Sequence, residues 1–214
     1  MTTGTSSKGT AHAAQTSHEH INALRAAQAE QARRKKMWVR LASVGATLAV
    51  IGLVVAMMMS SRQQSSAATR LAPDFTLTST SGTQVSLSSL RGKNVLIYFS
   101  EGAGCEACIT QMAMIEKDPR FAAEGLTVLP IVMDPKDDIS SAMATNGVRT
   151  PFLLDDGTVS KAYGTLGKGM HADLPGHSFV LIDKTGKQLW YGEYPSMFIS
   201  PDDLLQEVKN HLAT

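Results

Sequence analysis

The stretch NVLIYFSEGAGCEACITQMAMIEK, residues 94–117, decides the fold. Its opening NVLIYFS (94–100) is a near-continuous apolar run, the pattern of a strand buried on both faces. A glycine-rich turn follows, and from Cys105 onward the apolar residues Ile109, Met112 and Ile115 recur at threes, the spacing of a helix face. Cys105 therefore sits where a strand turns into a helix, and Cys108 lies one helical turn on. These are the only two cysteines in 214 residues. A scaffold stapled by disulfides would spread several along the chain, so the pair is read as a site.

Working outward, Phe75–Leu77 and Gln84–Leu87 flank a Ser-Gly-Thr turn and predict a short hairpin. LTVLPIVM (126–133) is a second buried strand, in which Pro130 points to a bulge or an edge position. Helices are expected over 137–145 and 159–164. Phe179–Ile182 and Gln188–Tyr191 alternate around DKTGK as an antiparallel hairpin. Ser200-Pro201-Asp202-Asp203 opens a last helix through His211: serine is a good cap, proline fits the first helical position, and two acids suit the positive end of the dipole. This order of elements implies an α/β domain with a mixed central β-sheet flanked by helices.

The N-terminal third differs. Residues 1–37 form a polar and basic tail, of which 1–17 reads as disordered. LASVGATLAVIGLVVAMMM (41–59) holds no charge, and about 20 apolar residues cross a bilayer core. With Trp38 as an interfacial aromatic and Arg40 able to snorkel, residues 38–59 are expected to be one transmembrane helix. Arg33, Arg34, Lys35 and Lys36 precede it, which places the N-terminus in the cytoplasm and the rest outside the cell membrane. A cleaved signal peptide, with Ser66-Ala67-Ala68 at the cut, is the competing reading. Residues 60–69 read as a flexible linker, and 70–214 as the folded domain. A net charge of +1 with 18% charged residues gives no reason to expect nucleic acid as a partner.

Four stretches carry a resemblance: LAPDFTLTSTSGTQVSLSSLRGKNVLIYF (71–99), GCEAC (104–108), TPFLLDDGTVSKAYG (150–164) and HSFVLIDKTGK (177–187). In this order they are similar to the redoxin branch of the thioredoxin superfamily, which includes AhpC/TSA-type peroxiredoxins and membrane-tethered thioredoxin-like proteins. The resemblance implies a thioredoxin-like fold and a thiol–disulfide oxidoreductase. Its partners would be extracytoplasmic protein thiols or disulfides and an unidentified electron donor; no cofactor or metal is expected.

Exchange needs a thiolate and a second sulfur in reach. At the helix start Cys105 would be the nucleophile, favoured by free N–H groups and the dipole, with Cys108 the resolving thiol. Glu101 and Glu106 stand beside the pair, and their charge would raise the thiolate's pKa, favouring a reductant or isomerase over a strong oxidant. The family places a proline, often cis, before the strand at Phe179. His177 occupies that place here and is expected to lie against Cys105, as acid/base or as donor to the thiolate. His171 is a weaker candidate. Two alternatives stay open. A thiol peroxidase would need a Thr or Ser three residues before Cys105, where Gly102 stands, and an arginine, for which Arg149 is the one nearby candidate. A copper chaperone would use Cys105, Cys108 and His171 or His177, with Met170 or Met197 as soft ligands.

Overall fold

The computed structural model describes Ser43 and residues 45–52, 64–66, 70–169 and 171–213. The chain divides into two units, Met1–Ser60 and Ser61–Thr214. In the first, Ser43 and residues 45–52 are helical, and Leu48, Val50 and Ile51 are exposed. Among the described residues no helix is long and apolar enough to cross a membrane. The tail, and most of the span expected over 38–59, lie outside the described residues.

The second unit runs β1 (Gln64–Ser66), β2 (Arg70–Leu71), β3 (Thr76–Ser79), β4 (Gln84–Ser86), β5 (Asn94–Phe99), α1 (Glu106–Lys117), α2 (Pro119–Ala123), β6 (Leu126–Val132), α3 (Lys136–Asn146), β7 (Leu153–Leu154), α4 (Thr158–Tyr163), β8 (Ser178–Ile182), β9 (Lys187–Glu193) and α5 (Pro201–Leu212). One mixed sheet carries the strands in the order β1-β9-β8-β5-β6-β7-β3-β4, with β2 also on β9. The β5–β6 and β6–β7 pairs are parallel; the remaining pairs are antiparallel.

β5 lies between β8 and β6, and its side chains alternate between two cores. Leu96 and Tyr98 pack with Ile109, Met112 and Ile115 of α1, Phe179 of β8, and Leu204, Leu205 and Val208 of α5. Val95, Ile97 and Phe99 face the opposite core with Phe75, Leu87, Ile131, Val159 and Tyr163. Both faces are covered, which is why this strand shows no polar alternation in sequence. Each large apolar side chain buried here contributes about 1.5–3 kcal/mol.

Most expected elements are found. The first hairpin is β3–β4, paired Thr76↔Ser86, and the second is β8–β9. Ser200 caps α5, its Oγ accepting from Asp203 N at 3.1 Å, with proline at the helix start. Pro130 causes no bulge: β5 and β6 pair without interruption from Asn94↔Leu126 to Phe99↔Ile131. Ile131 O accepts from Ser100 N on the β5 side, and Val132 O from Asp155 N on the other. Pro130, sharing the side of Val132, turns its missing donor away from β5, and β7 joins only from Ile131 onward. The edge reading is thus right locally. The segment read as a linker holds a strand: Gln64–Ser66 pairs with Tyr191–Glu193 and lengthens the sheet.

Candidate active site

β5 ends at Phe99, and the chain reaches α1 through Ser100, Glu101 and a 3-10 turn, Gly102–Gly104. Gly102 takes φ +80, and a Cβ there would overlap the Asp134 carboxylate. That carboxylate, just past β6, accepts Ala103 N on Oδ1 at 3.0 Å, which fixes the turn. Burial raises the Asp134 pKa, and the nearby Asp138 charge adds to the rise. Cys105 then occupies the cap of α1, with extended φ −119 and ψ 95, and its Sγ accepts from Cys108 N at 3.3 Å.

Cys105 and Cys108 are joined as a disulfide, their Cα atoms 5.3 Å apart. The two sulfurs are unequally placed. Cys105 is 7% exposed and Cys108 fully buried, so an incoming sulfur has its approach at Cys105. The N–H groups of the first turn and the helix dipole also favour charge at the cap position.

His177 is where the sequence reading must be corrected. It lies against Cys108, not Cys105: Nδ1 is 3.6 Å from Cys108 Sγ. Tyr98 Oη stands 3.1 Å from the same nitrogen and 3.0 Å from Cys108 O. His177 precedes β8 and its carbonyl accepts Tyr194 N at 2.8 Å, so the ring points inward from the end of a central strand. No peptide bond among the described residues is cis. Burial pushes the His177 pKa down to about 3, keeping the ring neutral, and pushes the Tyr98 hydroxyl well above the usual tyrosine range.

Glu101 is buried, at 3% exposure, and turned towards the segment before β8. Its Oε2 is 2.9 Å from His171 Nδ1, and Oε1 accepts His171 N at 3.2 Å. A Cβ on Gly169 would collide with the same carboxylate. Glu101 therefore fastens His171 to the strand end, with Gly169 close against the same carboxylate. Glu106 is exposed on α1.

Sequence reasoning missed Tyr98, Asp134 and Gln111, and named Met197 only as a soft ligand. Met197 shares a buried cluster with the two cysteines and takes φ 58, the one non-glycine positive φ among the described residues. Its segment is tied to α1 by Ile199 N donating to the buried Gln111 Oε1 at 2.9 Å, and to the site by the Tyr194–His177 bond. Left-handed backbone at a residue with a side chain costs of order 1–3 kcal/mol. Among the described residues no group of three or more His, Cys, Asp or Glu is placed to hold a metal. Met170 lies outside them.

A disulfide spanning the first turn of a helix, at the end of a central strand in a mixed sheet, defines a thioredoxin-like redox domain. The chain belongs to the AhpC/TSA family, whose sequence profile matches residues 68–188. A Mycobacterium tuberculosis protein with a provisional peroxiredoxin name is 32% identical over 99 residues, 45% of this chain and 63% of that protein. Thiol-disulfide oxidoreductase ResA of Geobacillus kaustophilus is 29% identical over 158 residues, 72% of this chain and 86% of its own. The thioredoxin domain of a Bacteroides vulgatus thiol-disulfide oxidoreductase superposes with TM-score 0.53 at 25% identity, covering 68% of this chain and 98% of that domain.

Proposed function

We propose that the chain is a membrane-anchored thiol–disulfide oxidoreductase acting on extracytoplasmic proteins. The observation that carries this reading is the asymmetry of the pair, with Cys105 at the helix tip keeping a little exposure and Cys108 fully buried behind it. In the reducing direction, reduced Cys105 attacks a partner disulfide as thiolate. One partner sulfur leaves as thiol and the other forms a mixed disulfide with Cys105. Cys108 then attacks Cys105 Sγ, the second partner sulfur departs, and the Cys105–Cys108 disulfide is left. Two electrons pass from the pair to the partner, and the two thiol protons appear on its sulfurs. An electron donor of dithiol type must restore the pair.

Two features speak against a peroxidase. At Gly102, where a peroxidatic Thr or Ser would stand, both the φ of +80 and the Asp134 carboxylate resist a side chain. Arg149, the arginine that the sequence offers for that role, is 92% exposed at its side chain and bound to Glu116, at 3.4 Å.

Anchoring is supported by the uncharged run 41–59 and by the exposed Leu48, Val50 and Ile51 on its helical part. The basic cluster before it supports an outward-facing domain. The test is to express Cys108→Ala in intact cells and isolate what Cys105 holds. Partner proteins joined through Cys105, recovered from the membrane fraction and cleavable by an impermeant reductant, are expected. An absence of mixed disulfides would overturn the exchange reading, and adducts reached only by a permeant reductant would overturn the location.

A further inference from the structure

Cys108 poses a physical problem for the exchange cycle. It is fully buried, and burial in apolar surroundings disfavours the thiolate that the resolving step requires. The helix tip that assists Cys105 offers it less, since Cys108 already lies inside the first turn. The polar side-chain atom that reaches its sulfur is His177 Nδ1.

We infer that Tyr98 is a positioning residue for this step: its hydroxyl, fixed between the Cys108 carbonyl and the His177 ring, holds that ring with Nδ1–H directed at the Cys108 sulfur. The inference rests on the exchange reading above and deepens it. Tyr98 Oη lies 3.0 Å from Cys108 O and 3.1 Å from His177 Nδ1. A carbonyl can only accept, so the single hydroxyl proton goes to Cys108 O, and the oxygen presents a lone pair to Nδ1. Nδ1 then carries the proton and shares it between Tyr98 Oη and Cys108 Sγ. The other ring nitrogen, Nε2, is buried without a partner among the described residues. In this tautomer it is a bare acceptor, a milder loss than an orphaned N–H.

The rings leave little freedom to rearrange. Tyr98 stacks on Phe179 with centroids 4.7 Å apart, and His177 stands edge-on to Tyr98 at 5.0 Å. The titratable side chains facing the imidazole are Tyr98 from β5 and Cys108 from α1; Phe179 on β8 is apolar. Burial holds both hydrogen-bonding rings neutral, so His177 acts as a neutral donor to the developing thiolate. In the resolving step Cys108 Sγ bonds to Cys105 Sγ, the bond from Cys105 to the partner sulfur breaks, and that sulfur leaves with the proton Cys108 has lost.

The test uses the full-length protein with Cys105 loaded as a mixed disulfide with thionitrobenzoate, following release of the coloured thiolate against pH. Tyr98→Phe keeps the stacked ring. Release at neutral pH is expected to slow about tenfold, with its pH midpoint raised by about one unit, the effect of roughly one lost buried hydrogen bond. Loading of Cys105 is expected to stay within about twofold. In a His177→Leu background, Tyr98→Phe is expected to add nothing, because it acts through the ring. His177→Asn, whose amide can donate, is expected to recover most of the rate lost in His177→Leu. An unchanged midpoint in Tyr98→Phe, or equal slowing in both backgrounds, would overturn the inference while leaving exchange intact. Failure of Cys105 to accept the label in the wild type would overturn the exchange reading itself.

Discussion

The two ends of one disulfide sit in different media. On the Cys105 side the chain is a glycine turn held by the Asp134 carboxylate, with Glu101 just before it bound to His171, and a cysteine that keeps a little exposure. On the Cys108 side lie a core helix, a stacked aromatic ring and a neutral imidazole, all buried. The first region must admit a foreign sulfur and release it; the second must keep one sulfur waiting in a fixed place. The difference teaches that the two thiols share a motif but are activated by separate means, helix-tip dipoles for one and a side-chain donor for the other.

The largest break in this comparison is Cys105→Ser, which is expected to abolish exchange with a dithiol reductant and a disulfide substrate, whereas Cys108→Ser retains one-step capture of a labelled disulfide. Next, Gly102→Thr tests how closely the turn is shaped. It puts a side chain at φ +80 and against Asp134, and a loss of about 2–4 kcal/mol is expected in denaturant unfolding. Pairing it with Asp134→Ala should return part of that loss, which leaves the backbone term alone.

The buried side is tested by acid. His177 titrates near 3 when folded and about 6.5 when unfolded, so below about 6.5 the unfolded chain takes up a proton that the native chain refuses. Stability from this group therefore falls as pH drops from about 6.5 towards 3, by up to about 1.4 kcal/mol per pH unit. His177→Leu is expected to remove that slope in unfolding measured across the window; an unchanged slope would mean the ring is not held neutral. The smallest effect is expected at Glu101→Gln, which weakens the hold on His171. Amide exchange at His171 should rise about fivefold, with global stability moved by about 1 kcal/mol or less.

The strand, turn and helix at 94–117 were legible because period and glycine placement are local signals. So were the final hairpin and the cap of α5. What escaped is built from contacts between distant segments. Tyr98 is hidden in an apolar run, and only its pairing opposite Phe179 brings its hydroxyl to the ring at 177. Asp134 follows an ordinary buried strand, and its bearing on Gly102 exists only once β6 lies beside β5. The side chain at 177 is visible through its place in the family pattern, yet the pattern points to the wrong sulfur, because residue spacing carries no depth. Strand β1 reads as linker in the sequence because three polar residues at a sheet edge have no period to show.

The most direct measurement is the alkylation rate of each thiol in the reduced, full-length protein near neutral pH, resolved by peptide mass. The account predicts that Cys105 reacts at least about a hundredfold faster than Cys108, the reach and ionisation of the first set against the burial of the second. Equal rates, a faster Cys108, or two inert thiols would contradict it.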